Sequence, residues 1–597
     1  MRRNSWISGG TITAGAAAAG LALGTSHAPA ATDFGPIIPD TAFVAVWVED
    51  LPALQQSFEQ SPYGQFWGDA DVAPLRQWFN SQMEELAEAV EEDANVSLEE
   101  LISAFSGGAA FYILAPADGT LDADTEPDPV FIVEVDEEGK EFFQTLLEGL
   151  PENLDWQDVR RESVEAAGLS GYRISGTGED GEERHATYAF AEEHLILTFR
   201  EDEGPLAVAA DRVQNPRLDG AIGGREEIRR LGPDAISGPN RYSAYLDLGL
   251  ILNNTLLGPG TDAQTRRAVE NSGLADAEGL LFTGTAGAES TETDVLLLTG
   301  PQRRGLHEAL YAAGPTPMDL VQNVSTDASS VTSFSLDLGR LYRAVMDIVS
   351  DVEPQAVAMV EMMILGQFAA YGVDPINDLL NNIRGEHVYV TRPLDPELAQ
   401  QLPDDMMGMA APQESQAFFL GLANGDDVVR TLKTLLDNLA QDPDMGQMFS
   451  YREEDGITFV DIQMPMDDGP IQPQLAFNNQ AIVFANNAIE MREAVRTLKG
   501  EAADPLSESP GFRLALDDAD RARTHVFTYT GQSAMETSVE QVRGFLLMGL
   551  VDEFLPGFEA SMIPEPEVFT RYFGDSYGSS EFHDRMIRFR STLRAAD

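Results

Sequence analysis

The stretch PDTAFVAVWVEDLPAL, Pro39 to Leu54, decides the reading of this chain because STDASSVTSFSLDLGRL, Ser325 to Leu341, repeats its grammar. Asp40 falls on Asp327, Asp50 on Asp337, Leu51 on Leu338 and Leu54 on Leu341 without a gap. Each reads as a strand followed by a helix. The offset is 287 residues, and later segments keep nearly the same value.

Val96–Ile113 pairs with Val373–Val390, with Ser97 and Asp374 at N-cap positions and Gly108 and Gly385 punctuating helix from strand. Phe131–Leu150 pairs with Phe418–Leu439, a buried strand followed by a helix whose Val428, Leu432, Leu435 and Leu439 form one face. Gly168–Ser175 pairs with Gly456–Gln463. The hairpins AFAEEHLIL (Ala189–Leu197) and AFNNQAIVF (Ala476–Phe484) also pair, and Leu281–Gly300 and Tyr577–Leu593 read as closing strand pairs. A series in the same order at offsets near 287 implies internal duplication. The expectation is an α+β protein: two tandem, internally duplicated halves, each a largely antiparallel sheet with helices on one face. The halves read as 31–315 and 316–597, after an address at 1–30.

That address is MRRNSWISGGTITAGAAAAGLALGTSHAPA. Arg2 and Arg3 precede a weakly apolar stretch, and small residues offer cleavage after Ala28 or Ala30. The stretch is short and rich in Gly and Thr for a retained span, so a cleaved signal and a soluble periplasmic or extracellular protein are expected. Twin-arginine export through Arg2–Arg3 stays open beside the general route.

Composition narrows the function classes. At 597 residues, 43% of them apolar, the chain is long enough for two or more cores. Its formal net charge of −61 excludes a general nucleic-acid binder and disfavours an anionic membrane surface. Lys140, Lys433 and Lys499 are the only lysines, a balance that suits either a salt-adapted exterior or a GC-rich genome. With no cysteine, disulfides, thiolate metal sites and Cys nucleophiles are excluded.

On the strings Pro39–Leu54, Val373–Val390 and Gln416–Leu436, the chain resembles exported bacterial proteins carrying the domain of unknown function DUF3352, including planctomycete-type relatives. The resemblance covers most of the mature chain. It implies an exported α+β protein with no established activity and carries no catalytic residues.

Few residues suggest chemistry. GDSYG, Gly574–Gly578, matches Gly-x-Ser-x-Gly and would make Ser576 a hydrolase nucleophile. The flanks argue otherwise: helix-like residues precede it, strand-like residues follow, and few residues remain downstream for an acid and a base. The seven histidines, His27, His185, His194, His307, His387, His525 and His583, show no zinc spacing. His194 aligns with Ala481 and His387 with Ala110, so neither belongs to the shared architecture. Acidic Asp118–Asp128 lacks a calcium-loop pattern, and Met406, Met407 and Met409 lack the repeated spacing of a copper site. The reading is therefore of a non-catalytic exported protein in binding or envelope organisation, with no catalytic, cofactor or metal residues. A ligand or protein would sit in a cleft between the halves. The alternative is a serine hydrolase using Ser576.

Overall fold

A computed structural model describes residues 32–82, 96–116, 119–121, 128–153, 156–178, 180–230, 236–258, 260–395, 398, 414–442, 449–462, 472–547 and 557–596. The predicted signal segment, the methionine cluster at 406–409 and most of the acidic run at 118–128 lie outside them.

The architecture is α+β with antiparallel sheet. The chain divides into two compact units. The first gathers Met1–Asn254, Glu278–Leu298 and Val551–Pro564; the second gathers Thr255–Ala277, Thr299–Leu550 and Glu565–Asp597.

The first unit's strands are β1 (Ala42–Val48), β2 (Ala109–Leu114), β3 (Asp128–Glu134), β4 (Gln157–Ala166), β5 (Leu169–Thr177), β6 (Glu183–Ala191), β7 (His194–Thr198), β8 (Arg241–Leu246), β9 (Ala277–Ala286) and β10 (Ser290–Thr299). Across the sheet they run β4-β5-β6-β7-β3-β2-β1-β8-β9-β10. The second unit holds β11 (Ser330–Asp337), β12 (Arg384–Pro393), β13 (Glu414–Gly421), β14 (Phe449–Glu454), β15 (Ile457–Ile462), β16 (Gln474–Phe477), β17 (Ala481–Ala485), β18 (Thr524–Thr530), β19 (Phe573–His583) and β20 (Met586–Ala595). These run β14-β15-β16-β17-β13-β12-β11-β18-β19-β20. Ranked by position in the chain, the two orders coincide at all ten places.

Local chemistry explains the boundaries. Asp50 caps α1 (Leu51–Gln60), accepting from Ala53 N at 2.8 Å. Asp337 caps α3 (Leu338–Val352), accepting from Arg340 N at 2.9 Å. Ser97 and Glu100 form a reciprocal capping box, and Asp374 accepts from Ile376 N and Asn377 N. The β6–β7 turn sits at Glu192–Glu193, and the β16–β17 turn at 478–480. Gly108 is required at the start of β2, because a Cβ there would meet Glu49 O and the Phe34 ring at 2.6 Å.

The first unit's core packs α2 (Glu137–Asn153), through Phe143 and Leu147, on Val133, Tyr188 and Leu195. In the second unit α5 (Gly425–Gln441) packs through Val428 and Leu436 on Val460, Phe477 and Ile482. Its other core sets Val331, Val388, Phe419 and Phe527 against the helices at Ala488–Lys499 and Pro510–Asp518. Each such side chain contributes roughly 1.5–3 kcal/mol by leaving water. α4 (Pro354–Ala369) is the exception. It is apolar all round, none of its residues is buried, and Met359, Met362 and Met363 are 63%, 71% and 55% exposed.

Candidate functional site

Polar side chains concentrate at one end of each sheet, where the first strand hands over to its helix. In the first unit Glu134 ends β3 and His194 opens β7 directly opposite it. Glu49 follows β1, and Gly108 precedes β2. The lead-in residues 32–34 lie over this row. Thr32 Oγ1 donates to Glu134 Oε1 and lies 3.2 Å from His194 Nε2, while Glu134 Oε2 accepts from Gly108 N at 2.6 Å. Asp33 Oδ1 accepts from Gly35 N and Ser237 Oγ, and Glu49 Oε2 accepts from Gly238 N at 2.6 Å. Burial pushes the Glu49 carboxyl up to about 7, with the Asp33 charge adding to the effect and the Gly238 amide opposing it. Burial also holds the His194 pKa below its ordinary value.

In the second unit Asp337 ends β11, Arg384 opens β12, Gly421 ends β13 and Ala481 opens β17. Glu386 accepts from Asp319 N (2.8 Å), Leu320 N (2.8 Å), Val321 N (3.1 Å) and Ser333 Oγ (3.0 Å). Burial raises its carboxyl above the usual range, and these four donors pull the other way. His387 is fully buried; Nε2 lies 2.9 Å from Leu336 O and Nδ1 accepts from Gly421 N at 3.2 Å. That geometry fixes a neutral ring, in keeping with a pKa lowered by burial. Asp327, from the opening match, holds Arg392 Nε at 3.0 Å, and Arg392 also donates to buried Glu490. These groups spend their hydrogen bonds on backbone and on one another.

An open pocket of about 710 Å³ lies at this end of the second unit. Arg340, Arg384, Asp337 and Glu386 supply charge, and Leu320 and Leu422 line an apolar wall. A smaller pocket of about 400 Å³ in the first unit is lined by Arg225, Glu227, Asp247 and Glu278, with Arg225 3.9 Å from Asp247.

Ser576 sits inside β19, paired with Thr530 on one side and Leu593 on the other. The whole GDSYG motif is strand, so the sharp strand-to-helix turn that exposes a nucleophile is not formed around it. His583 ends the same strand seven residues on, about 23 Å along it at strand rise, with Nε2 3.3 Å from Glu581 Oε2. His185 Nδ1 is 3.0 Å from Ser175 Oγ; His525 stacks on Phe582 at 4.0 Å; His307 meets Tyr311 edge-on at 4.8 Å. His27 lies outside the described residues. Among the described residues no group of three His, Asp or Glu is placed to hold a metal ion. Nor, among them, is any helix long and apolar enough to cross a membrane.

Sequence reasoning did not single out Glu134, Glu386 or Arg384. The only local signal for Glu386 is a charged residue inside the strand pattern GEHVYV.

No family model matches the chain, and no curated protein does. Solved structures that align with it include crystal forms III and I of TP0453, at 10% and 11% identity. Each alignment covers 46% of this chain and 83% or 81% of the other, with a TM-score of 0.22. Similarity at that level carries no argument about fold or function.

Proposed function

We propose that this is an exported, non-catalytic protein, acting in binding or envelope organisation, on a scaffold made by internal duplication. The coincident strand order of the two units supports the duplication, together with matching caps at Asp50 and Asp337. The observation that carries the functional reading is the use of the buried ionisable groups. Glu134, Glu386 and His387 are engaged by backbone amides, hydroxyls and a carbonyl, so they hold the lead-in segments and strands rather than presenting a poised acid, base or nucleophile. Ser576 is paired on both sides in mid-strand, and among the described residues the nearest histidine in sequence, His583, lies against Glu581. The signal layout and the resemblance to DUF3352-type proteins support export.

The test is turnover of ester and peptide substrates by the wild type and by Ser576→Ala. The expected result is no turnover above the uncatalysed rate in either. Turnover that disappears in Ser576→Ala, with the fold intact, would replace this reading with the hydrolase.

A further inference from the structure

The pocket of the second unit differs from the matching end of the first in a small set of residues. This comparison rests on the duplication proposed above. Arg340 stands where the first unit has Ala53, Arg384 where it has Gly107, and Gly421 where it has Glu134. In the first unit that space is taken by the chain itself: the Glu134 carboxylate lies so close to Gly107 that a Cβ there would overlap it, and Thr32 closes over both. In the second unit a Cβ at Gly421 would meet Glu386 O at 2.2 Å, so no carboxylate enters from that position, and the pocket is open at about 710 Å³.

The charges in that pocket are unequally engaged. Asp337 is committed to the Arg340 amide as an N-cap, and Glu386 to three amides and Ser333. Asp319, on the rim, is exposed. The Arg340 guanidinium is half exposed and touches Asp337 only at 3.6 Å. Arg384 is exposed, and its guanidinium has no ion-pair or hydrogen-bond partner among the described residues. In a chain with 99 acidic and 38 basic residues, a cation left without a carboxylate beside a cavity is unusual. Ala312, Pro317, Leu320, Leu422 and Leu498 supply an apolar wall.

We propose that this pocket binds a small amphiphilic anion, its carboxylate taken by Arg384 and Arg340 and its short apolar body lying on the leucine wall. A guanidinium fork matches a carboxylate with two parallel hydrogen bonds, and a pocket of several hundred Å³ accommodates a chain of several carbons.

Calorimetric titration of the full chain with octanoate, and with octanamide as its neutral counterpart, tests this at an ionic strength high enough to screen the net charge. Saturable octanoate binding is expected, with octanamide weaker by about tenfold or more. Arg384→Ala should lose octanoate affinity by a similar factor, leave octanamide unchanged and keep the melting temperature. Arg384→Lys should recover only part, because an ammonium cannot reproduce the fork. Equal affinity of Arg384→Ala and wild type for octanoate, or equal affinity of the two probes, overturns the anion assignment. Absence of saturable binding by either probe overturns the pocket. None of these outcomes bears on the Ser576 turnover test, so failure here is distinguishable from failure of the non-catalytic reading.

Discussion

Replacing Glu49 by Gln should stabilise the first unit at pH 8 and leave it nearly unchanged at pH 4. Glu49 is 4% exposed, and its carboxyl ionises near 7 in the fold against 4.5 in the unfolded chain. The folded state therefore holds a proton that the unfolded state releases. Below pH 4.5 both states are protonated and the stabilising difference is fully present; it is lost as pH rises through about 7. The full difference corresponds to about 3 kcal/mol, and allowing for partial solvent screening leaves about 2 kcal/mol. A glutamine carbonyl can still accept from Gly238 N, and an uncharged amide is not repelled by the Asp33 carboxylate. The assay is built into the sequence. Trp47, Trp67, Trp78 and Trp156 all lie within Met1–Asn254, and the fifth tryptophan, Trp6, precedes them. Tryptophan fluorescence during urea unfolding thus reports the first unit. The midpoint gain of Glu49→Gln over wild type should grow from near zero at pH 4 to about 2 kcal/mol at pH 8. A difference that does not vary with pH, or a loss at pH 8, would refute the reasoning.

Three further outcomes follow from the same geometry. Glu386→Ala strands three backbone amides and should cost the second unit about 3–5 kcal/mol, whereas Glu386→Gln keeps part of the cradle and should cost about 1–2 kcal/mol, read by circular dichroism in urea. Asp50→Ala and Asp337→Ala each remove one N-cap acceptor and should each cost about 1 kcal/mol, the similarity of the two losses being the point of the comparison. Dilute peroxide should convert Met359, Met362 and Met363 to sulfoxides before buried Met318 and Met491, by peptide mass spectrometry, and should shift the melting temperature little, because none of the three is packed in a core.

The parts of the fold legible in the sequence were those set by neighbouring residues. Alternation with a short polar turn marks the hairpins at Glu192–Glu193 and 478–480, and the caps at Ser97 and Asp374 are visible from residue type and spacing alone. What escaped depends on distant partners. The amides held by Glu386 come from residues 65 to 67 positions earlier. Beyond its place inside the strand pattern GEHVYV, nothing local distinguishes that glutamate from a solvated one. The exchange of Thr255–Ala277 and Val551–Pro564 between units is likewise a tertiary choice. Arg384 was passed over because its interest lies in a missing partner, and Gly421 because its interest lies in a missing side chain.

A crystal structure of the chain, with the second unit superposed on the first, tests the central claim most directly. The expected result is ten strands matching in order, Asp50 on Asp337, and the Glu134 carboxylate against Gly107 where the second unit has an open pocket beside Arg384. Different strand orders, or two ends filled alike, would contradict it.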